Sequence, residues 1–185
     1  MKILKILALA ALLLPSCTAD EEYSSYPCRL VFDQDTHAIS AAMQSALNAL
    51  SPGVFCKVSQ TQHGGQTYYC FSTNQGLEDE VVWTGVDQRT SIVIGMNNGL
   101  VFGYGNLDTP ATLYAYDAEC PNCFDSEALP LRSHPLKLQS TGRAKCTTCQ
   151  REYDMNTGGN VVIGNQGKGL TRYRASYNGH VLSIV

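Results

Sequence analysis

Two Cys-x-x-Cys pairs, "ECPNCFDS" at residues 119–126 and "KCTTCQREYD" at residues 145–154, carry the best-defined chemistry in this sequence. A Cys-x-x-Cys turn can aim two thiolates at one ion, and two such turns supply the four sulfurs of a tetrahedral zinc or iron site. Twenty-two residues separate Cys123 from Cys146, close to the interval of a zinc ribbon, and Pro121 and Thr147-Thr148 suit compact knuckles. The expected metal ligands are therefore Cys120, Cys123, Cys146 and Cys149. The same thiols could instead form disulfides, within each turn or crossed, or act as redox-active thiols. Redox-active Cys-x-x-Cys motifs open a helix, and no helical pattern follows either pair. His134 lies between the pairs and could add a fifth ligand, but its place before Pro135 reads as a surface loop.

The choice between metal and disulfide depends on compartment. Residues 1–16, "MKILKILALAALLLPS", place Lys2 and Lys5 before an apolar run and end on a small residue, the layout of a secretory signal. The run is too short to span a bilayer as a helix. The segment "LLLPSC" resembles the bacterial lipobox, which implies cleavage before Cys17 and lipidation of that cysteine. Residues 17–27 then form a tether. Its acidic start, Asp20, Glu21 and Glu22, resembles the surface-export tag of Bacteroidota lipoproteins, and a solvated tether explains it equally well. The implied location is the cell envelope, at the periplasmic or surface face of the outer membrane, with the lipid as the only membrane attachment. Loss of Lys2 and Lys5 with the leader takes the formal net charge from −3 to −5, so electrostatics do not favour nucleic acid.

The remaining residues, 28–185, fit one domain with a real core. "CRLVF" at residues 28–32 predicts a first strand. Residues 35–50 place Ile39, Met43, Leu47 and Leu50 at helical spacing, with Asp35 or Thr36 as cap and Pro52-Gly53 as stop. Beyond them, short β-type runs alternate with turn signals: "VFCKVSQ", a turn at His63-Gly64-Gly65, "TYYCF", "EVVWTGV", "SIVIGM", a turn at Asn97-Asn98-Gly99, "LVFGY" and "ATLYAYD". After the second cysteine pair come "VVIG", "LTRYRA", a turn at Asn178-Gly179 and "VLSIV". The expectation is a mainly antiparallel β protein with one helix near its N-terminus. Cys28, Cys56 and Cys70 are an odd set. A hairpin turning at His63 would face Cys56 with Cys70, and a Cys28–Cys56 bridge is the rival pairing.

Laid out this way, residues 113–185 resemble the Rieske fold, in which two β-hairpin loops hold an iron–sulfur cluster, the first through Cys-x-His and the second through Cys-x-x-His. "LYAYDAECPN" is similar to the run into the first loop, and "CTTCQREYD" to the second, with its aromatic-Asp pair. "TGGNVVIGNQGKGLTRYRASYNGHVLSIV" follows the family's closing strands, and "SIVIGMNNGLVFGYG" its leading ones, so the resemblance covers residues 54–185. It implies an antiparallel β-sandwich or barrel with a zinc-ribbon-like subdomain of two metal-binding hairpins at residues 117–154. The departures matter more. Asn122 stands where the first histidine belongs, with Cys123 one residue later, and Cys149 replaces the second. Imidazole ligands raise a Rieske potential, so four thiolates imply a low-potential cluster or a plain zinc site. Clusters are assembled in the cytosol and leave it in folded proteins through a twin-arginine signal, which this leader lacks. Zinc, acquired after export, is therefore the expected metal, with [2Fe–2S] or a single iron as the alternative.

No catalytic set emerges. His37, His63, His134 and His180 are scattered at turns and polar segments, and nucleophile-elbow, phosphate-loop and metalloprotease motifs are absent. Asp117 and Glu119, beside the first knuckle, could tune the site but read more simply as polar loop residues; Arg172 and Arg174 read as a solvated face, and the tyrosines as strand and core residues. The sequence thus predicts a non-enzymatic lipoprotein with a structural zinc site and an unknown envelope protein partner. An electron-transfer component is the alternative.

Overall fold

A computed structural model describes residues 22–185; the expected leader, Cys17 and the first part of the expected tether lie outside the described residues. The chain runs β1 (Leu30–Asp33), α1 (Ala41–Ala46), β2 (Phe55–His63), β3 (Gln66–Thr73), β4 (Glu78–Val82), β5 (Leu100–Tyr104) and β6 (Leu113–Asp117). It continues through β7 (Leu136–Leu138), β8 (Arg143–Cys146), β9 (Glu152–Asp154), β10 (Asn160–Ile163), β11 (Arg172–Tyr173), β12 (Ala175–Tyr177) and β13 (Val181–Ile184). The protein is mainly β with antiparallel sheets, and α1 is its one α-helix among the described residues.

A six-stranded sheet, β11-β6-β5-β2-β3-β4, separates two cores. Side chains alternate across a strand, so one face of β2, β5 and β6 presents Cys56, Val58, Leu100, Phe102 and Ala115 to Met43 and Ala46 of α1 and to Leu30, Phe32, Leu182 and Ile184. The last four belong to a three-stranded sheet, β1-β13-β12. The other face presents Phe55, Val101, Tyr114 and Tyr116 to Leu136, Ala144, Tyr153 and Met155. These lie in and beside a four-stranded sheet, β10-β9-β8-β7, which carries the second cysteine pair. Burying a large apolar side chain contributes about 1.5–3 kcal/mol, so this second core fixes the four-stranded sheet beneath the cysteine loops.

The helix is shorter than its periodicity predicts. Ser40 caps it by accepting the Met43 N–H at 3.0 Å and donating to Asp79 at 2.6 Å, while Asp79 also accepts the Ala42 N–H at 3.0 Å. The Asp79 carboxylate in β4 thus fixes the start at Ser40, leaving Ile39 and Leu50 exposed and only Met43 and Leu47 buried among the predicted apolar stripe. "SIVIGM" is also no strand. It forms one bridge, Arg29 with Val93, and then turns at Gly95 (φ +65°), where Asp117 takes the Met96 N–H at 2.7 Å. "LTRYRA" splits at Arg174: β11 pairs with β6, whereas β12 joins β13 in the other sheet. Arg174 is exposed and Arg172 half-buried, and both also make specific contacts. Both guanidinium groups lie over the Tyr23 ring, at 5.2 and 4.9 Å, and Arg172 pairs with Glu22 at 3.1 Å.

The expected disulfides among Cys28, Cys56 and Cys70 do not form; all three are free thiols. The β2–β3 hairpin turns on Gly64-Gly65 alone, both at positive φ, and its register pairs Cys56 with Thr73 and Cys70 with Ser59. Cys56 and Cys70 therefore point to opposite faces of the sheet. Cys28 precedes β1, which pairs in a different sheet from β2, and its sulfur faces the Ile184 carbonyl at 4.0 Å. Burial pushes the Cys28 thiol up to about 11 and raises Cys56 as well. Cys28 should accordingly resist alkylation in the native protein at pH 8 and react faster as the pH approaches 11. After urea denaturation with chelator and no reductant, mass spectrometry should find Cys28, Cys56 and Cys70 all alkylated; a bridged pair would leave only one.

Candidate metal centre

The first cysteine pair follows β6 directly. Residues 118–135 form a loop closed at its base by a Glu119–Pro135 bridge, with the Cys120 N–H donating to the His134 carbonyl at 3.0 Å and the Leu136 N–H to the Ala118 carbonyl at 2.8 Å. Inside it the Cys123 and Phe124 N–H groups donate to the Cys120 carbonyl, at 3.1 and 2.9 Å, which winds the first knuckle. The second knuckle is the β8–β9 turn. The Gln150 N–H donates back to the Cys146 carbonyl at 3.0 Å, and Gln150 takes a left-handed conformation, φ +62°.

Two turns of this shape bring the sulfurs of Cys120, Cys123, Cys146 and Cys149 within 4.8 Å of one another. The short separations cross between knuckles: Cys120 to Cys149 at 3.8 Å and Cys123 to Cys146 at 3.9 Å. Disulfide sulfurs lie about 2.04 Å apart, so these are four free thiols. One tetrahedral ion with metal–sulfur bonds of about 2.3 Å spaces its sulfurs about 3.8 Å apart. The four cysteines could therefore hold a metal ion with little movement.

Compared with family models and with curated proteins, the chain matches none. The site must be read from its own chemistry.

Donor groups surround the sulfurs. The Tyr153 hydroxyl, fully buried, lies 3.2 Å from the Cys120 sulfur. Asn122 donates its amide to the same hydroxyl at 2.9 Å, which leaves the hydroxyl hydrogen for the sulfur. Burial raises the Cys120 and Cys123 thiols, although Tyr153 and the Asn122 N–H pull Cys120 down. Burial also raises Cys149, but the backbone N–H and guanidinium of Arg151 and the neighbouring thiols outweigh it and bring that thiol down to about 6. One thiolate forms readily and at least two resist, so binding of a cation must displace protons, as metal uptake by thiols does.

His134 stays outside the sulfur cluster and instead meets the Thr148 hydroxyl through Nδ1 at 3.0 Å. His37 sits at the turn after β1, with its ring stacked on Phe32 of the other core and bonded to Asp87 at 2.7 Å. Asp117 and Glu119, expected as polar loop residues, are buried and organise the first knuckle. Asp117 accepts from the Met96 N–H, the Glu119 N–H and the Tyr173 hydroxyl, at 2.7, 2.8 and 2.9 Å; burial nevertheless raises its carboxyl. Glu119 accepts from Asn97, Ser133 and the His134 N–H, at 2.6, 2.6 and 2.5 Å, and so ties both ends of the loop to the turn before β5. A cavity of about 510 Å³ opens beside the first knuckle, with Cys120, Cys123, Asp125 and Lys168 in its wall.

The left-handed turn at Gln150 makes a direct prediction. Gln150→Gly should be tolerated, whereas Gln150→Val, a β-branched residue forced to positive φ, should lower stability by about 1–3 kcal/mol in thermal or urea denaturation. Equal losses in both variants would assign the turn to the Gln150 side chain, which donates to the Thr147 carbonyl at 2.6 Å.

Proposed function

We propose that the chain is an exported, lipid-anchored protein of the cell envelope whose Rieske-like domain holds one zinc ion on Cys120, Cys123, Cys146 and Cys149. In this reading the ion is structural: it pins two loops that present a surface to an envelope protein partner. The observation that carries the reading is the gathering of all four sulfurs within 4.8 Å. A [2Fe–2S] centre places two thiolates on each of two bridged irons and separates the sulfurs on opposite irons further than this. A single ion suits the distances, and zinc suits a chain that leaves the cytosol unfolded before it meets its metal.

Further features support a binding role. Leu129 is almost fully exposed and Leu131 about half, both in the loop after the first knuckle, and Val162 and Ile163 in β10 are also about half exposed. Structural zinc contributes about 10 kcal/mol or more to small domains, enough to hold these segments to the second core. The Rieske-like reading is supported by the order of features: a strand into one cysteine loop, a second cysteine loop between paired strands, and closing strands of which β11 returns to the main sheet while β12 and β13 pair beside β1. A second reading, electron transfer by an iron centre, is favoured by the donors aimed at Cys120 and Cys149, since hydrogen bonds to sulfur tune the potential of iron–thiolate sites.

Metal analysis of protein purified from its native envelope distinguishes them. One zinc per chain and no visible absorption are expected. Iron with labile sulfide would replace this reading by the second, and a metal-free protein whose knuckle thiols react only after reduction would overturn both. Under the zinc reading Cys146→Ser lowers the melting temperature; a variant that melts as the parent does contradicts a structural ion.

A further inference from the structure

Residues 164–169, "GNQGKG", run past both knuckles between β10 and the buried Leu170, and every one of them is exposed. Among the described residues, none of their main-chain groups joins a backbone–backbone hydrogen bond. Two side chains hold the segment instead. The Asn122 amide brackets Lys168, donating to its carbonyl at 2.8 Å and accepting its N–H at 3.0 Å. The Arg151 guanidinium donates to the Asn165 and Gln166 carbonyls at 2.9 and 3.2 Å.

Both side chains belong to the knuckles. Asn122 lies between Cys120 and Cys123 and reaches the Cys120 sulfur through the Tyr153 hydroxyl. Arg151 follows Cys149 by two residues and closes the second knuckle, its carbonyl accepting the Cys146 N–H at 3.0 Å. Gly167 completes the fit. A Cβ there would stand 2.4 Å from the Asn122 Oδ1 and 3.1 Å from the Arg151 Nε. Glycine is required by this contact and not by the backbone, which lies outside the left-handed region.

We infer that residues 164–169 are a latch over the metal centre, and that Asn122 and Arg151 are positioning residues that hold it closed and slow release of the ion. The inference rests on the metal-binding reading above. An ion leaves a four-thiolate site as one ligand swings away, and outward movement of either knuckle carries Asn122 or Arg151 with it against their bonds to the latch. Polar groups that hold metal ligands in place typically change metal affinity by about 10–100-fold when removed.

The test is zinc transfer from the loaded protein to the chromogenic chelator 4-(2-pyridylazo)resorcinol, which can approach through the cavity beside Cys123. Asn122→Ala, Arg151→Ala and Gly167→Ala should each release zinc about tenfold faster than the parent. The double variant Asn122→Ala with Gly167→Ala should release it no faster than Asn122→Ala alone, because the added methyl no longer meets an amide. Release at the parental rate from all three single variants, each folded by circular dichroism and loaded with one zinc, overturns the latch while leaving the metal site intact. So does a double variant in which the two effects multiply in full, since that places the Gly167 effect elsewhere. If Asn122→Ala does not fold, the same comparison is made with Arg151→Ala. A parent protein that takes up no zinc overturns the metal reading, and the latch with it.

Discussion

Four sulfurs held within 4.8 Å of one another cannot all be thiolates unless a cation stands among them. Two unit charges 4 Å apart repel by about 4 kcal/mol at the effective dielectric of a protein surface, and here every sulfur faces three others. As neutral thiols they fill the space as weakly polar side chains; as ligands of one ion they become the strongest connection between the two knuckles. The rest of the site is consistent with that constraint. The Tyr153 hydroxyl meets the Cys120 sulfur and Arg151 favours the Cys149 thiolate, while the buried carboxylates Asp117 and Glu119 are spent on backbone donors and side-chain hydroxyls and amides.

The six-stranded sheet makes this possible by separating two tasks. Its first face closes an ordinary hydrophobic core with α1 and the β1-β13-β12 sheet, where Cys56 is one more apolar side chain and Cys28 a thiol kept neutral by burial. Its second face supports the four-stranded sheet, whose core of Tyr116, Tyr153 and Met155 lies under the cysteines. Asp117 joins the two regions, since it ends β6 at the first knuckle and takes a hydrogen bond from Tyr173 in β11.

Much of this was legible in the sequence because local chemistry determined it. Cys-x-x-Cys spacing identifies the four thiols, alternating apolar runs mark most of the strands, and Gly64-Gly65 and Asn178-Gly179 mark turns. What escaped depended on contacts between distant segments. Asp79, thirty-nine residues from Ser40 in the chain, decides where the helix starts. Asp117 captures an N–H that "SIVIGM" would need in order to continue as a strand. Centring the hairpin on His63 rather than between two glycines shifted the register enough to place Cys56 and Cys70 on the same face. Asn122, within the first motif, was read only as a missing histidine; its amide is used to hold a segment more than forty residues later. No periodicity reports a buried carboxylate or a side chain that grips a loop.

The central claim is that these four cysteines surround a single ion. X-ray absorption at the metal edge of the loaded protein measures that most directly. One shell of four sulfurs at about 2.3 Å, with no metal–metal scattering, is the predicted result. A second metal in the scattering, or a shell in which nitrogen or oxygen replaces sulfur, would contradict it.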